Sequence, residues 1–336
     1  MQKMGVRLWP VTMISGDMLV AAPERWDEAC FTVPAVRAVI ASGLKTGILC
    51  SETQREFWET INGLMVVSFP LRTKSKLVAT QIKDQWKASL AWEISPAAEA
   101  FKIANLPRRL GPQERRLDKL LTHPLSYSEN PLEHRVRHYL AAVEELSIDT
   151  KRSEFFASVD LGIEFEKNAV MLCPSSDLGI SYEWAIDRWV EIADRLLENG
   201  KHVTVVSLDG NRDLGRNLAN LLGDKVTYFH AFPLASTLPI LAIHGLVVAA
   251  DGSLPHLAAH AGTTCVTLFG PNDSAWKRPL GRRHSVVKMH VECAPCLLAK
   301  CQFDSRCQRE LTVDRVWKAV KDKLTYAGRK DQWSAW

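Results

Sequence analysis

No apolar run in the 336-residue sequence approaches the roughly 18–20 residues that span a bilayer, so nothing reads as a transmembrane helix. An excess of one charge is also lacking. Forty-two Lys and Arg against 38 Asp and Glu leave +4, too little at this length to announce a nucleic-acid partner, so any basic function is local. Internal repeats and low-complexity tracts are absent. With 46% hydrophobic and 24% charged residues, the composition excludes wholesale disorder, a collagen-like repeat and a coiled coil. Lys3 and Arg7 precede an apolar stretch, but Pro10, Gly16 and Asp17 interrupt it, which reads against a cleaved signal peptide and for a cytoplasmic protein.

The length favours two domains. From Ala169 onward, short Val-rich runs alternate with helix-period runs: Ala169 to Cys173, His202 to Ser207, Val226 to Phe229, Leu246 to Ala250 and Thr263 to Phe269. Unalternated apolar runs suit strands buried on both faces, and the alternation implies a doubly wound parallel sheet. Trp189, Ile192, Ala193, Leu196 and Leu197 recur at helical spacing, with Gly200 as the stop signal. In the first half, Met18 to Ala22, Thr46 to Ser51, Leu64 to Phe69 and Ser89 to Ile94 read as strands of a second α/β unit. Leu106 to Asn130 shows little periodicity, whereas His134 to Leu146 and Leu311 to Leu324 read as helices. The expected division is residues 1–165 and 166–336.

Ligands of open parallel sheets bind beyond the carboxyl ends of strands, which directs attention to the loops. Pro174-Ser175-Ser176-Asp177-Leu178-Gly179 offers small residues and free N–H groups ahead of a helix, an anion site or an ordinary capped loop. Asp251-Gly252-Ser253-Leu254-Pro255-His256 lets a phosphate approach the backbone closely, with Asp251 available to sugar hydroxyls and His256 to an anion or to a structural role. Phe269 to Asp273 has the composition of a tight turn.

Of eight cysteines, Cys30, Cys50, Cys173 and Cys265 read as reduced buried thiols. Cys293, Cys296, Cys301 and Cys307 form C-x2-C-x4-C-x5-C, which suits a structural zinc or iron–sulfur site, two disulfides, or reduced thiols holding a loop. Two basic clusters, Arg72, Lys74, Lys76, Lys83 and Lys87, then Lys102, Arg108, Arg109, Arg115, Arg116 and Lys119, suit either a solvated surface or an acidic glycolipid at the inner membrane.

Asp251 through His256-Leu257-Ala258-Ala259, then Val266 to Phe269 with Gly270-Pro271, then the cysteines, resemble glycosyltransferase family 9, the heptosyltransferases of lipopolysaccharide core assembly. Pro34 to Val39 is similar to the family's first helix and His134 to Ile148 to its inter-domain helix. The resemblance implies a GT-B architecture, two Rossmann-like domains facing across a cleft, with the acceptor held by the first and the nucleotide sugar by the second. It implies inverting transfer without a metal or catalytic cofactor, by a carboxylate base.

The family's base is the Asp of a Gly-Asp pair six residues before the Pro of the first helix. Gly16-Asp17 has that spacing to Pro23 but precedes the first strand; alignment on Pro34 instead places Asp27 on the Gly and Glu28 on the base, against a reading of both as a helix cap. Relatives carry Lys-Arg-Trp ahead of the first donor-domain helix, and here Tyr182-Glu183-Trp184 stands there, so the phosphate lysine is missing. Ser175, Ser176, helix dipoles and Arg278 are the expected compensation. Asp213 matches an acidic position that contacts the ribose, or is a helix cap. The expectation is therefore transfer of a sugar, heptose by resemblance, from a nucleotide diphosphate to a surface glycan or glycolipid. The rivals are a non-catalytic GT-B-like binding or assembly protein and a sugar-nucleotide epimerase.

Overall fold

The computed structural model describes residues 15–127, 130, 132–208 and 213–326. The described chain separates by packing into two units, the first within Met1–Glu24, Ala35–Ser128 and Ala141–Asp149, the second within Arg25–Pro34, Glu129–Leu140 and Thr150–Trp336. The second unit thus takes in two segments from the N-terminal half.

The first unit is built on β1 (Gly16–Ala21), β2 (Thr46–Ser51), β3 (Met65–Phe69), β4 (Trp86–Leu90), β5 (Arg108–Pro112) and β6 (His123–Leu125), in the order β3-β2-β1-β4-β5-β6. Every neighbouring pair is parallel. The helices of the N-terminal half are α1 (Trp26–Ala41), α2 (Arg55–Glu59), α3 (Ser75–Ile82), α4 (Pro96–Ile103) and α5 (Val136–Glu144). One face of the sheet buries Leu19 and Leu49 with Val78, Ile82 and Phe101 from α3 and α4.

Three sequence expectations change here. The strand expected at Ser89 to Ile94 lies at Trp86–Leu90, and the chain beyond it turns into α4, capped by the Ser95 side chain accepting from the Ala98 N–H. The segment from Leu106 to Asn130 contributes β5 and β6. Their side chains carry no hydrophobic run because these strands sit at the sheet margin, where backbone pairing rather than burial on both faces holds them. Gly16 and Asp17 open β1 itself, and Asp17 accepts from the Lys45 N–H and from Lys87 at 2.7 Å, in the first unit.

The second unit repeats the plan with β7 (Glu166–Cys173), β8 (His202–Ser207), β9 (Thr227–His230), β10 (His244–Ala250), β11 (Thr264–Phe269) and β12 (Ser285–Lys288), in the order β12-β11-β10-β7-β8-β9, all parallel. Its helices are α6 (Ile186–Glu198), α7 (Leu214–Leu222), α8 (Leu238–Ile243), α9 (Ser253–His260), α10 (Ser274–Lys277), α11 (Arg306–Arg309) and α12 (Val313–Tyr326). The apolar stripe of α6, Trp189, Ile192, Ala193 and Leu196, packs on Val170, Leu172, Val203 and Val205. Val316 and Val320 of α12 join the same core, and the tail beyond residue 326 lies outside the described residues. β12 was not legible as a strand; only Val287 of its four residues is buried.

The order reverses between β7 and β10, the topological switch point at which open parallel sheets bind their ligands. Helix α7 reaches that end of the sheet because Gly215 lets it touch β8: a Cβ there would lie 2.2 Å from the Val206 carbonyl oxygen. The Gly215 N–H donates to the Ser175 hydroxyl at 3.1 Å, tying α7 to the loop after β7. Gly215→Ala is expected to destabilise the protein by about 1–3 kcal/mol, as overpacking against backbone does. Urea unfolding measures it, and an unchanged midpoint would show that α7 can shift freely.

Candidate active site

The loops after β7 and β10 are stitched to each other. The Ser176 hydroxyl donates to the Asp251 carbonyl at 2.6 Å, and its N–H donates to the Glu183 carboxylate at 3.1 Å. Asp177 reaches across to the start of α9, where its Oδ1 accepts from the Ser253 N–H at 2.7 Å and its Oδ2 from the Ser253 hydroxyl. Gly252 leaves room for this carboxylate, since a Cβ would stand 2.6 Å from Asp177 Oδ1. A carboxylate therefore occupies the positive end of α9, the place where a helix terminus favours an anion.

Of the expected donor residues, Asp251, Gly252, Ser253 and His256 come together at this end of the sheet. Ser175 and Ser176 spend their hydroxyls on holding loops. Asp213 is the N-cap of α7, accepting from the Arg216 N–H at 2.8 Å, which is the cap alternative; residues 209–212 before it lie outside the described residues. The Arg278 side chain is exposed, while its carbonyl accepts from His134 Nε2 at 2.8 Å.

Asp27 and Glu28 stand in the first turn of α1, both buried. Glu28 Oε1 accepts from Lys277 Nζ at 2.7 Å, and Oε2 accepts from Tyr139 Oη at 2.5 Å and Arg135 Nε at 3.1 Å. Asp27 accepts from Arg25 at 3.1 and 2.8 Å and from Lys277 at 2.9 Å. Lys277 is the last residue of α10, whose start is capped by the Asp273 side chain, so the turn after β11 delivers a buried ammonium. The sequence alone assigns no site role to Lys277, Arg25, Arg135 or Tyr139. Arg135 stands just before α5 and Tyr139 in its first turn, four residues on, while Arg25 is two residues from Asp27.

Burial acts to raise both carboxyls, but the Lys277 ammonium, aided by Arg25 at Asp27 and by Arg135 at Glu28, holds each below its ordinary range. Removing Lys277 would leave Asp27 paired with Arg25 and Glu28 with Arg135 and Tyr139, each acid with less compensation than before. His256 meets the Phe31 ring edge-on at 4.9 Å, and burial lowers its pKa to about 4, so it is a neutral imidazole near pH 7. Its Nδ1 and the Asp251 Oδ2 are buried without a hydrogen-bond partner among the described residues. Both belong to the loop and helix that follow β10 at the switch point.

All eight cysteines are free thiols, which removes the two-disulfide expectation at Cys293, Cys296, Cys301 and Cys307. Among the described residues no group of three or more His, Cys, Asp or Glu is arranged to hold a metal ion, so the structure lends the zinc or iron–sulfur alternative no support. The loop acts as a clamp. The Pro271 carbonyl accepts from the Cys296 and Leu297 N–H groups, the Ala299 carbonyl from the Ser181 N–H, and the Tyr182 carbonyl from Gln308 Nε2 at 3.1 Å. It thereby fixes the turn carrying Lys277 against the loop after β7.

Burial raises the Asp251 carboxyl from 3.8 to about 7, against the opposing hydrogen bond from Asn272. Between those values the folded protein holds a proton that the unfolded chain has lost, so this group favours folding at low pH and the benefit fades as pH rises toward about 7. Asp251→Asn is expected to gain stability relative to the parent as pH goes from about 5 to about 8. Melting temperatures at the two pH values measure it, and a constant difference would mean that Asp251 is ionised throughout.

The fold and part of the sequence have known counterparts. A lipopolysaccharide heptosyltransferase 1 of Pseudomonas aeruginosa is 29% identical over 126 residues, a stretch that spans 37% of this chain and only 35% of that relative. The structure of E. coli ADP-heptose lipopolysaccharide heptosyltransferase II superposes with a TM-score of 0.73 at 15% identity, covering 92% of this chain and 99% of that one. E. coli heptosyltransferase WaaC with ADP gives 0.72 at 14% identity, covering 91% and 99%. These likenesses make the architecture GT-B, with two Rossmann-like parallel sheets. Residues 58–306, most of the chain though not the acid pair on α1, match the model of glycosyltransferase family 9 (heptosyltransferase), and the protein belongs to that family.

Proposed function

We propose that this protein is an inverting, metal-independent glycosyltransferase that moves a sugar, heptose by its relatives, from a nucleotide diphosphate to a hydroxyl of a lipopolysaccharide-core or other surface glycolipid. The observation that carries the reading is the buried pair Asp27–Glu28 set beside the loops of the β7/β10 switch point in one unit. Glu28 takes the proton of the acceptor hydroxyl as that oxygen attacks C1, and the bond from C1 to the diphosphate breaks on the opposite face. Ser253 and the N-terminus of α9 receive the departing phosphate, displacing the Asp177 carboxylate. The E. coli relatives, one named an ADP-heptose heptosyltransferase and one described with ADP, support adenosine diphosphate as the nucleotide.

One observation favours a non-catalytic binding role instead: both oxygens of Glu28 already accept hydrogen bonds. Glu28→Gln separates the two. For a glycosyltransferase, transfer measured as nucleotide release falls by about 10²–10⁴-fold while the nucleotide still binds. Full activity in that variant would exclude Glu28 as the base. A parent protein that binds ADP, UDP or GDP yet shows no transfer to lipopolysaccharide-core acceptors would favour the binding role.

The acceptor's anionic carrier suits the first unit. Lys87, Lys102 and Arg109 are used within that unit, on Asp17 and on the Lys119, Leu120 and Leu106 carbonyls. Arg72, Lys74, Lys76 and Lys83 instead stand exposed around Leu71 and Leu77, which are 64% and 61% exposed. Apolar side chains ringed by cations fit the surface of an anionic bilayer. No helix among the described residues is long and apolar enough to cross one. At about 1 kcal/mol per basic residue, Lys74→Ala with Lys76→Ala is expected to weaken binding to phosphatidylglycerol-containing vesicles on the order of thirtyfold in sedimentation assays. Unchanged binding would remove this surface from the reading.

A further inference from the structure

The loop after β7 carries no lysine where the family resemblance expects one, for Tyr182 stands there and the neighbouring Glu183 accepts the Ser176 N–H. Arg278, the expected substitute, is exposed. The ammonium that the fold does bury at this end of the sheet is that of Lys277, and its field is felt at Asp251 and His256 as well as at the acid pair. It bridges Asp27 Oδ2 at 2.9 Å and Glu28 Oε1 at 2.7 Å.

That bridge is built so that it can open. Without Lys277, Asp27 keeps both hydrogen bonds from Arg25, and Glu28 keeps Arg135 and Tyr139, so neither acid loses its last cation. A lysine ammonium on a four-carbon stem can change partners without moving the backbone that carries it. A diphosphate bears more charge than either carboxylate and competes well for it.

We propose that Lys277 is the diphosphate-binding cation of this protein and that it exchanges partners, pairing with Asp27 and Glu28 in the free protein and with the donor's diphosphate when donor binds. The inference rests on the glycosyltransferase reading above. It couples two events: donor binding withdraws the cation that occupies Glu28 Oε1, and the oxygen so released is the one that accepts the acceptor's proton. Donor therefore binds before the base is competent.

The test is calorimetric titration of the full-length parent, K277M and K277R with ADP and with adenosine, together with pH profiles of transfer. K277M is expected to bind ADP about 10–100-fold more weakly with adenosine affinity unchanged, and K277R to recover ADP binding to within about tenfold of the parent. Glu28 is faced by Lys277 from α10, Arg135, Tyr139 and His134 from α5 and the residues before it, His256 from α9, Arg25 from just before α1, and Asp27 on its own helix. Loss of one of those cations raises its pKa. In K277M the acid limb of kcat/KM for the donor, which reports free enzyme, therefore moves to higher pH, whereas the acid limb of kcat, which reports the donor complex, stays in place. A static ion pair would move both limbs, and that result overturns the exchange. ADP binding by K277M equal to the parent's overturns the assignment of the cation. Should K277M fail to fold, the parent and E28Q suffice: ADP binding to the parent at acidic pH takes up a proton that binding to E28Q does not, and equal uptake by the two overturns the proposal. A parent that binds none of ADP, UDP or GDP instead overturns the glycosyltransferase reading itself.

Discussion

One buried ammonium shared by two buried carboxylates organises this end of the molecule. Burial works against each charge separately, and the cluster persists because Arg25, Arg135 and the Tyr139 hydroxyl complete what Lys277 begins. Its members come from three places in the chain: the start of α1, the start of α5 and the end of α10. These ion pairs, with the Arg135 N–H donating to the Trp276 carbonyl and Phe31 against His256, tie Arg25–Pro34 and Glu129–Leu140 to the second unit although their sequence neighbours belong to the first.

The second level of support is hydrogen bonding between loops that have no strands of their own. The cysteine-bearing loop offers backbone groups to Pro271, Ser181 and Tyr182, and Gly179 and Gly270 allow it to lie close, since a Cβ at either would meet Ala299 or Gln308. Four cysteines in so short a span suggest chemistry, yet what the structure shows them holding is a backbone path. Cys301 Sγ accepts from the Phe303 N–H, and Cys307 is buried against Gly270.

Legibility followed the physics of each element. β7, β8 and β10 were plain because strands buried on both faces must be apolar throughout, and α6 because one stripe faces them. β5, β6 and β12 were not, because strands toward the edges of a parallel sheet are held by backbone groups that every sequence has. The acid pair was placed by its spacing from Pro34, a local quantity. Its partners lie 250 residues away at Lys277 and 107 away at Arg135, and no window along the chain relates them. Arg278, one residue on, is the compensating cation that the sequence suggests, but a one-residue step at the end of the short helix α10 turns a side chain from the interior to solvent.

Asp177 at the head of α9 shows a cost of readiness. A helix terminus left bare would lose favourable electrostatics while the site waited, and the carboxylate satisfies it in the meantime. Whatever anion arrives gains only the difference between itself and that resident group. On the proposed binding of the donor phosphate at α9, tightness of binding and stability of the empty protein are set against each other at one residue: a chain without Asp177 there grips phosphate more firmly and stands less securely when empty.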